Sequence, residues 1–358
     1  MQIHLFFFYE VNGGNMAKSN YLKWGLIMIA AVWAALIGTM MGYAWNLMHM
    51  PQQIPEVEMP KIQNTNISIE TQEKMEGYWT VAAFGVDSRD GTLGKGTRSD
   101  MQMLFNVNLG TGEIRAVSVY RDTYLKVNQK GRYDKINEAY FYGGPGQALQ
   151  ALTDNLDINI DDYASFSWKA VADAINILGG IDVDISHDEF RVINGFITET
   201  VESTGVGSHH LKKEGPNHLD GVQAVAYARL RKMDTDFQRT KRQREVANLA
   251  LKKAREADLS TLNQLMNAIL PQISTSIGMK DMLPIIKNMK KFHLTETEGF
   301  PTKLTDARMN RRDYVVPLDL EENVKRLHLF LFDEDDYEPS ELVKETSRQI
   351  KINVNKKK

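Results

Sequence analysis

The stretch MQMLFNVNLGTGEIRAVSV, residues 101–119, decides the fold, because it predicts two strands that fold back on each other. Its outer parts, residues 101–107 and 114–119, are hydrophobic, and the segment between them carries the asparagine and glycines of a hairpin turn. Closing this hairpin places Asp100, at the start of the first strand, opposite Arg121, at the end of the second. The sequence thus predicts a carboxylate and a guanidinium group side by side at one edge of a sheet.

Strand and helix patterns alternate around this hairpin. Residues 81–86 predict a buried strand that ends in a polar loop beginning at Asp87. Residues 168–178 predict a helix that closes at a Gly-Gly pair before the strand 181–185. Further helices are expected at residues 147–156 and 262–269, the second covering the sheet. We therefore expect an α/β fold in which helices flank a mixed central β-sheet, an α-β-α sandwich.

Composition limits the possible functions. The chain has 358 residues, of which 42% are hydrophobic and 25% charged, enough for one large or two modest domains with a core. The net charge of -3 argues against a general nucleic-acid binder, whose surface should be basic. No cysteine is present, which excludes disulfides and thiolate metal sites.

The N-terminal region predicts a membrane anchor. Residues 24–48 contain no Asp, Glu, Lys or Arg and are long enough to span a bilayer. Lys18 and Lys23 precede this run, so the positive-inside rule places the N-terminus in the cytoplasm. A cleaved signal peptide is the alternative, although its apolar core would be shorter and a typical cleavage site is missing.

The expected domain organisation follows from this anchor. Residues 1–23 form a cytoplasmic leader, with Met16 as an alternative start, and residues 24–48 form the transmembrane helix. The proline-rich residues 49–76 predict an extracellular stalk, and the extracellular catalytic domain then covers residues 77–335. Residues 336–358 are expected to be a C-terminal tail with a disordered, lysine-rich end.

A basic segment, YARLRKMDTDFQRTKRQ at residues 227–243, predicts an anion site. Asp236 can cap a helix on which Arg239 and Gln243 share a stripe with the apolar Val246. An arginine on a core-facing stripe must be paired with something, and the first turn of a helix attracts anions.

Two arginines just upstream, Arg229 and Arg231, are expected to join this site. The cluster as a whole predicts an oxyanion or phosphate site. Arg242 lies about 60° around the helix from Arg239, beyond the edge of the apolar stripe, so we expect it mainly to face solvent or to play a secondary role.

Several motifs in one order resemble a known family. They are GVDSR (85–89), RSD (98–100), RD (121–122), KINEAYFYGG (135–144), LGGIDVDI (178–185) and ARLRK with DFQRTKRQ (228–243). Together they resemble the LytR-CpsA-Psr family of membrane-anchored, extracytoplasmic enzymes of mainly Gram-positive bacteria. One departure is Tyr120, where the family usually has proline before Arg-Asp.

This resemblance implies transfer of an anionic glycopolymer, such as teichoic acid or capsular polysaccharide, from undecaprenyl pyrophosphate to a peptidoglycan sugar hydroxyl. It implies Mg²⁺ as cofactor, peptidoglycan and the membrane as partners, no nucleic acid, and an extracellular domain on a single-pass membrane anchor. By position, the metal site comprises Asp87 and Asp100. The pyrophosphate contacts implied are Arg98, Arg121, Arg229, Arg231, Arg239 and Gln243. The catalytic residues implied are Arg121, Asp100 and Asp236.

Simpler interpretations remain for individual residues. Asp87 could cap a turn, and Asp100 with Arg121 could form only a cross-strand ion pair. The glycines at residues 143–146 predict a turn rather than a phosphate loop. For the whole protein, the alternative function is a non-catalytic envelope regulator that binds lipid pyrophosphate without turnover.

Overall fold

A computed structural model describes residues 64–88, 91–230, 236–278 and 291–357. The predicted transmembrane residues 24–48, the leader and most of the predicted stalk lie outside these ranges. Within them, no helix is both long and apolar enough to cross a membrane.

The described part of the chain folds into helices and strands that alternate for most of its length. The strands are β1 (Tyr78–Val86), β2 (Ser99–Asn108), β3 (Glu113–Val119), β4 (Tyr124–Lys126), β5 (Tyr133–Lys135), β6 (Asp162–Ser167), β7 (Ile181–Ile185), β8 (Gly215–Leu219), β9 (Ile273–Thr275), β10 (His293–Phe300), β11 (Leu304–Met309) and β12 (Arg312–Pro317). The helices are α1 (Ile69–Met75), α2 (Asn137–Leu156), α3 (Trp168–Ile177), α4 (His187–Thr204), α5 (Gly221–Arg229), α6 (Asp236–Glu256), α7 (Leu259–Ile269), α8 (Leu320–Phe332) and α9 (Glu341–Lys357).

A six-stranded sheet with strand order β10-β3-β2-β1-β6-β9 forms the centre. The neighbours β1–β2, β2–β3 and β6–β9 run antiparallel, whereas β1–β6 and β3–β10 run parallel. Side chains alternate across the sheet, so that Phe84 joins the core on one face and Ala83 the core on the other. Helices α2, α8 and α9 cover the first face and α3 to α6 the second. The predicted mixed sheet with helices on both faces is confirmed.

The folded domain begins earlier than the boundary predicted at Gly77. Ser68 caps α1, and Ile67 and Met75 are 6% exposed within the hydrophobic core. The predicted stalk is therefore wrong for residues 64–76, where the apolar side chains at 67 and 75 have a core to bury against.

The C-terminal end is also folded, contrary to the predicted tail. Helix α9 extends to Lys357, and its Val343, Ile350 and Val354 lie in the core. A hydrophobic stripe thus outweighs the local richness in lysine. Helix α7 is a smaller correction: it forms, but none of its residues is buried, and it packs against α3 rather than covering the sheet.

Candidate active site

The ends of β1 and β2 bring the first two predicted site residues together. Strand β1 pairs with β2 up to Val86 and Ser99, after a bulge at Gly85. The backbone N–H of Asp87 then donates to the carbonyl of Arg98 at 3.3 Å. Asp87 and Arg98 are therefore neighbours across the open end of the strand pair, and Asp87 directly follows the predicted strand.

Asp100 and Arg121 form the contact that the hairpin predicted. The pairing of Met103 with Ser118 continues toward the open end of β2 and β3, where it places Asp100 opposite Arg121. Arg121 Nη1 donates to Asp100 Oδ1 at 2.6 Å, and their side chains are 20% and 12% exposed. The ion pair is real, and it keeps a guanidinium edge accessible at the strand ends.

Helices α4 and α5 supply the facing wall. Arg229, the last residue of α5, donates through Nη1 to Thr200 Oγ1 on α4 at 3.2 Å. Glu199 lies one residue earlier on α4 and faces the same space. A third guanidinium is thus held at the same site.

These residues line one cavity of about 640 Å³. Its wall contains Asp87, Gly96, Thr97, Arg98, Asp100, Arg121, Phe141, Phe196, Glu199 and Arg229. Three arginines and three acids in one cavity can bind a ligand that carries several negative charges, with or without a divalent cation. Of the predicted site residues, the structure therefore brings together Asp87, Arg98, Asp100, Arg121 and Arg229.

Glu138 and Phe141 support Arg98, and sequence reasoning assigned neither a role. The Arg98 guanidinium carbon lies 4.6 Å from the centre of the Phe141 ring, and its Nε lies 3.4 Å from Glu138 Oε1. Glu138 is 4% exposed and also accepts from Arg312 Nη2 at 3.0 Å. A glutamate and an aromatic one helical turn apart in the quoted motif were the available indication.

A kink in α2 holds the loop that carries Arg98. Gly143 and Gly144 leave the helical conformation, and Gly144 has φ 65°, which a side chain would strain. Its backbone lies against Lys95 and Gly94, and Gly96 N–H donates to the carbonyl of Phe141 at 2.9 Å. The glycines at residues 143–146 therefore shape a helix kink beside the cavity, where the sequence predicted a plain turn.

The remaining predicted site residues belong to α6 or to the segment before it. Helix α6 begins at Asp236, and Arg231 lies outside the described residues. Arg239 and Gln243 are 3% and 4% exposed, so the predicted inward-facing stripe is correct. Neither is among the residues found to line the 640 Å³ cavity.

Arg242 does not face solvent as predicted. It is 6% exposed, and its Nε donates to Glu189 Oε1 on α4 at 2.7 Å. Burial raises the pKa of Glu189, but hydrogen bonds from Arg242 and Ser186 hold that pKa below its ordinary value. Arg242 is therefore a buried partner of an ionised carboxylate.

The acids of the cavity fit Mg²⁺ only together with a phosphate ligand. Within the described ranges, no group of three or more His, Asp or Glu side chains could hold a metal by itself. Asp87 and Asp100 nevertheless line the same cavity as the arginines. Mg²⁺ is commonly held by one or two carboxylates plus substrate phosphates, so this donor set suits it.

Comparisons with known proteins agree with these motifs and this fold. The LytR_cpsA_psr family model matches residues 48–326. The polyisoprenyl-teichoic acid–peptidoglycan teichoic acid transferase TagU of Bacillus cereus (strain AH820) is 32% identical over 69% of this chain and 77% of its own length. The TagU of Bacillus subtilis (strain 168) is 27% identical over 84% of this chain and 94% of its own length.

A solved structure shares the fold. It is that of the LytR-CPS2A-psr family protein YwtF (TagT) with bound octaprenyl pyrophosphate lipid. It superposes with a TM-score of 0.54 at 22% identity, covering 76% of this chain and 95% of the other. The family model spans most of the sequence and agrees with the TagU relatives, and the chain therefore belongs to the LytR-CpsA-Psr family.

Proposed function

We propose that this protein transfers an anionic glycopolymer from an undecaprenyl-pyrophosphate carrier to a sugar hydroxyl of peptidoglycan. The observation that carries the proposal is the 640 Å³ cavity, in which Arg98, Arg121 and Arg229 converge with Asp87 and Asp100. A pyrophosphate diester is a compact anion with several oxygens. Planar guanidinium groups can donate paired hydrogen bonds to these oxygens, which the point charge of an ammonium group cannot do.

Names of relatives and neighbours support the substrate class. The TagU relatives are named as transferases that move teichoic acid from a polyisoprenyl carrier to peptidoglycan. The YwtF (TagT) structure contains an octaprenyl pyrophosphate lipid. We extend that chemistry to this chain because five of its predicted site residues line one cavity.

The reaction needs charge stabilisation more than a protein nucleophile. The acceptor hydroxyl oxygen attacks the phosphorus bonded to the polymer, the bond from that phosphorus to the bridging oxygen breaks, and polyprenyl monophosphate leaves as the hydroxyl proton is lost. Arg121 and Arg229 line the same cavity and neutralise charge on the phosphoryl oxygens. The ion pair with Asp100 fixes the orientation of the Arg121 guanidinium before substrate binds. In the proposed roles, Arg231, Arg239, Asp236 and Gln243 contribute from α6 and the preceding segment.

Asp87 and Asp100 are the residues proposed to hold Mg²⁺. When bound, the ion would add positive charge at the pyrophosphate and so lower the cost of the charge that develops during transfer. The Asp100 carboxylate also offsets the charge of Arg121 in the cationic cavity.

We also propose that residues 24–48 anchor the chain in the cell membrane, with the domain outside. A membrane-embedded carrier lipid and an extracellular acceptor both require this placement. Added protease should digest the domain of the full-length protein in intact protoplasts, whereas complete protection would contradict the topology.

Transfer is tested with the full-length chain, a short-chain polyprenyl-pyrophosphate glycopolymer and peptidoglycan oligomers. Arg121→Ala should lower the single-turnover rate by about 10²–10³, the usual cost of removing one preorganised charge-stabilising group. The matched control is Arg348→Ala, because Arg348 is 63% exposed on α9 and pairs only locally with Glu345. Tight binding of the donor by wild type without any turnover would favour the regulator and contradict the transferase.

A further inference from the structure

A second cavity is linked to the first by an ion pair between one lining residue of each. It encloses about 520 Å³ and is lined by Asp122, whereas Arg121 lines the first cavity. Asp122 Oδ2 lies 3.7 Å from Arg121 Nε, and its Oδ1 lies 3.0 Å from Lys135 Nζ. A ligand in the second cavity is thus within one side-chain contact of the proposed phosphoryl site.

Aromatic rings form much of the wall of this second cavity. Tyr120 and Phe237 lie with ring centroids 5.7 Å apart, and Tyr314 contributes a third ring. Tyr120 is 1% exposed, because its hydroxyl end packs against Gly299, where no Cβ would fit. Phe237 is 51% exposed and so presents its ring to whatever enters. Aromatic faces of this kind suit the C–H faces of sugar rings.

The charged groups of the wall are mostly acidic. The β11–β12 hairpin supplies Asp306 and Asp313 to the same space as Asp122, against a single guanidinium from Arg308. Carboxylates accept hydrogen bonds from sugar hydroxyls and amides. Asp122 is offset by Arg121 and Lys135, and Asp313 lies 3.7 Å from Arg308 Nε. The wall therefore combines acceptors with little excess charge, which suits an uncharged sugar better than the phosphate-rich donor polymer.

We propose that this second cavity binds an uncharged sugar unit of the acceptor glycan and presents its hydroxyl toward Arg121. The inference rests on the proposed transfer reaction and adds to it the place of the acceptor. Tyr120 then has a role in supporting the exposed Phe237 ring, at the position where the motif departs from the usual proline. Because Asp122 of this cavity contacts Arg121 of the first, a sugar bound here would lie close to the proposed phosphoryl site.

The variants for the test are Phe237→Ala and Asp306→Asn in the full-length chain. Both side chains are accessible, so neither change should unfold the domain. The controls are Leu329→Ala and Asp335→Asn, which alter one exposed hydrophobic and one exposed acidic residue away from the cavity. The first probe is an oligomer of N-acetylglucosamine, which carries no charge, and its binding is measured by calorimetry without donor. Acceptor and donor KM are then measured with peptidoglycan oligomers in the transfer assay.

Each cavity variant should weaken oligomer binding and raise the acceptor KM by about 5- to 10-fold, with donor KM unchanged. Unchanged acceptor binding in both variants, with active wild type, would overturn the sugar site and leave the transfer reaction intact. A rise in donor KM instead would assign the cavity to the donor and also overturn the inference. An inactive wild type whose oligomer binding still depends on Phe237 would overturn the reaction and support the sugar site.

Discussion

Replacing Arg242 with alanine should destabilise the domain strongly, although Arg242 belongs to a charge-rich helix. Its Nε donates to Glu189 Oε1 at 2.7 Å, and the two side chains are 7% and 12% exposed. Its Nη1 also donates to the carbonyl of Leu230 at 3.4 Å. Arg242 therefore connects α6 both to α4 and to the end of α5, next to Arg229.

The expected loss is about 3 kcal/mol at neutral pH. Breaking a buried ion pair by removing one partner costs about 3–5 kcal/mol, because the other charge stays buried without compensation. Glu189 Oε2 keeps the hydrogen bonds from the Ser186 N–H and hydroxyl, at 3.0 and 2.9 Å, so the lower end of that range applies. Such a loss would lower the ratio of folded to unfolded protein by about 150-fold.

The loss should depend on pH in a defined direction. Burial raises the pKa of Glu189, while Arg242 and Ser186 hold it below the ordinary 4.5. The wild-type glutamate therefore adds stability above the unfolded-state pKa, and this is lost as pH falls through the lower folded-state pKa. In Arg242→Ala, burial remains without the guanidinium, so the Glu189 pKa rises. The gap between variant and wild type should then narrow as pH falls from 7 to 4.

Urea unfolding of the full-length chain in detergent, followed by tryptophan fluorescence at pH 7 and pH 4, measures both effects. Lys241→Ala is the matched control, because Lys241 is an exposed cation on the same helix and should change stability by less than about 0.5 kcal/mol. If Arg242→Ala cost no more than Lys241→Ala, or if its cost were the same at both pH values, the buried-pair reasoning would be refuted.

Two further predictions concern packing. Gly221→Ala should destabilise the domain by at least about 1–3 kcal/mol in the same urea assay, because a Cβ there would lie 1.8 Å from the carbonyl oxygen of Ala172. Gly195→Ala is the control, since a Cβ there meets open space and should be neutral or stabilising; equal effects of the two changes would contradict the close packing of α5 on α3. Deleting residues 341–358 removes three buried aliphatic side chains whose burial contributes about 5–9 kcal/mol, so the protein should lose its cooperative unfolding transition. Deleting only residues 356–358 should leave that transition in place. If the longer deletion also kept the transition, the packing of α9 would be contradicted.

The sequence predicted those parts of the site whose positions depend on residues close to each other in the chain. The turn after β2 determines the pairing of β2 with β3, and that pairing alone places Asp100 against Arg121. Asp87 lies at the same edge of the sheet because the end of β1 pairs with the start of β2. The strand ends of the candidate site could therefore be predicted without knowledge of the tertiary structure.

Contacts between distant parts of the chain could not be predicted in this way. Asp157 is fully buried after α2 and accepts hydrogen bonds from Asn64 Nδ2 at 3.2 Å, the Tyr337 hydroxyl at 2.9 Å and the Ser340 N–H at 2.7 Å. These partners lie 93 to 183 residues away. Residues 64–76 and 336–357 contain no local pattern that shows such partners, so both ends were predicted to lie outside the domain.

The prediction that Arg242 faces solvent was wrong for a different reason, which is the number of elements that pack against α6. A helical wheel assumes that a helix has one buried face, and on that assumption it correctly predicted that Arg239 is buried. Helix α6, however, contacts α5 as well as β3, β7 and β10, and Arg242 and Arg244 in its first half are buried too, at 6% and 9% exposed. Burial lowers the pKa of Arg244, which shows how far this segment is removed from water. A sequence stripe can identify one inward-facing cation, but the number of packed neighbours decides whether the next cation along the helix is buried too.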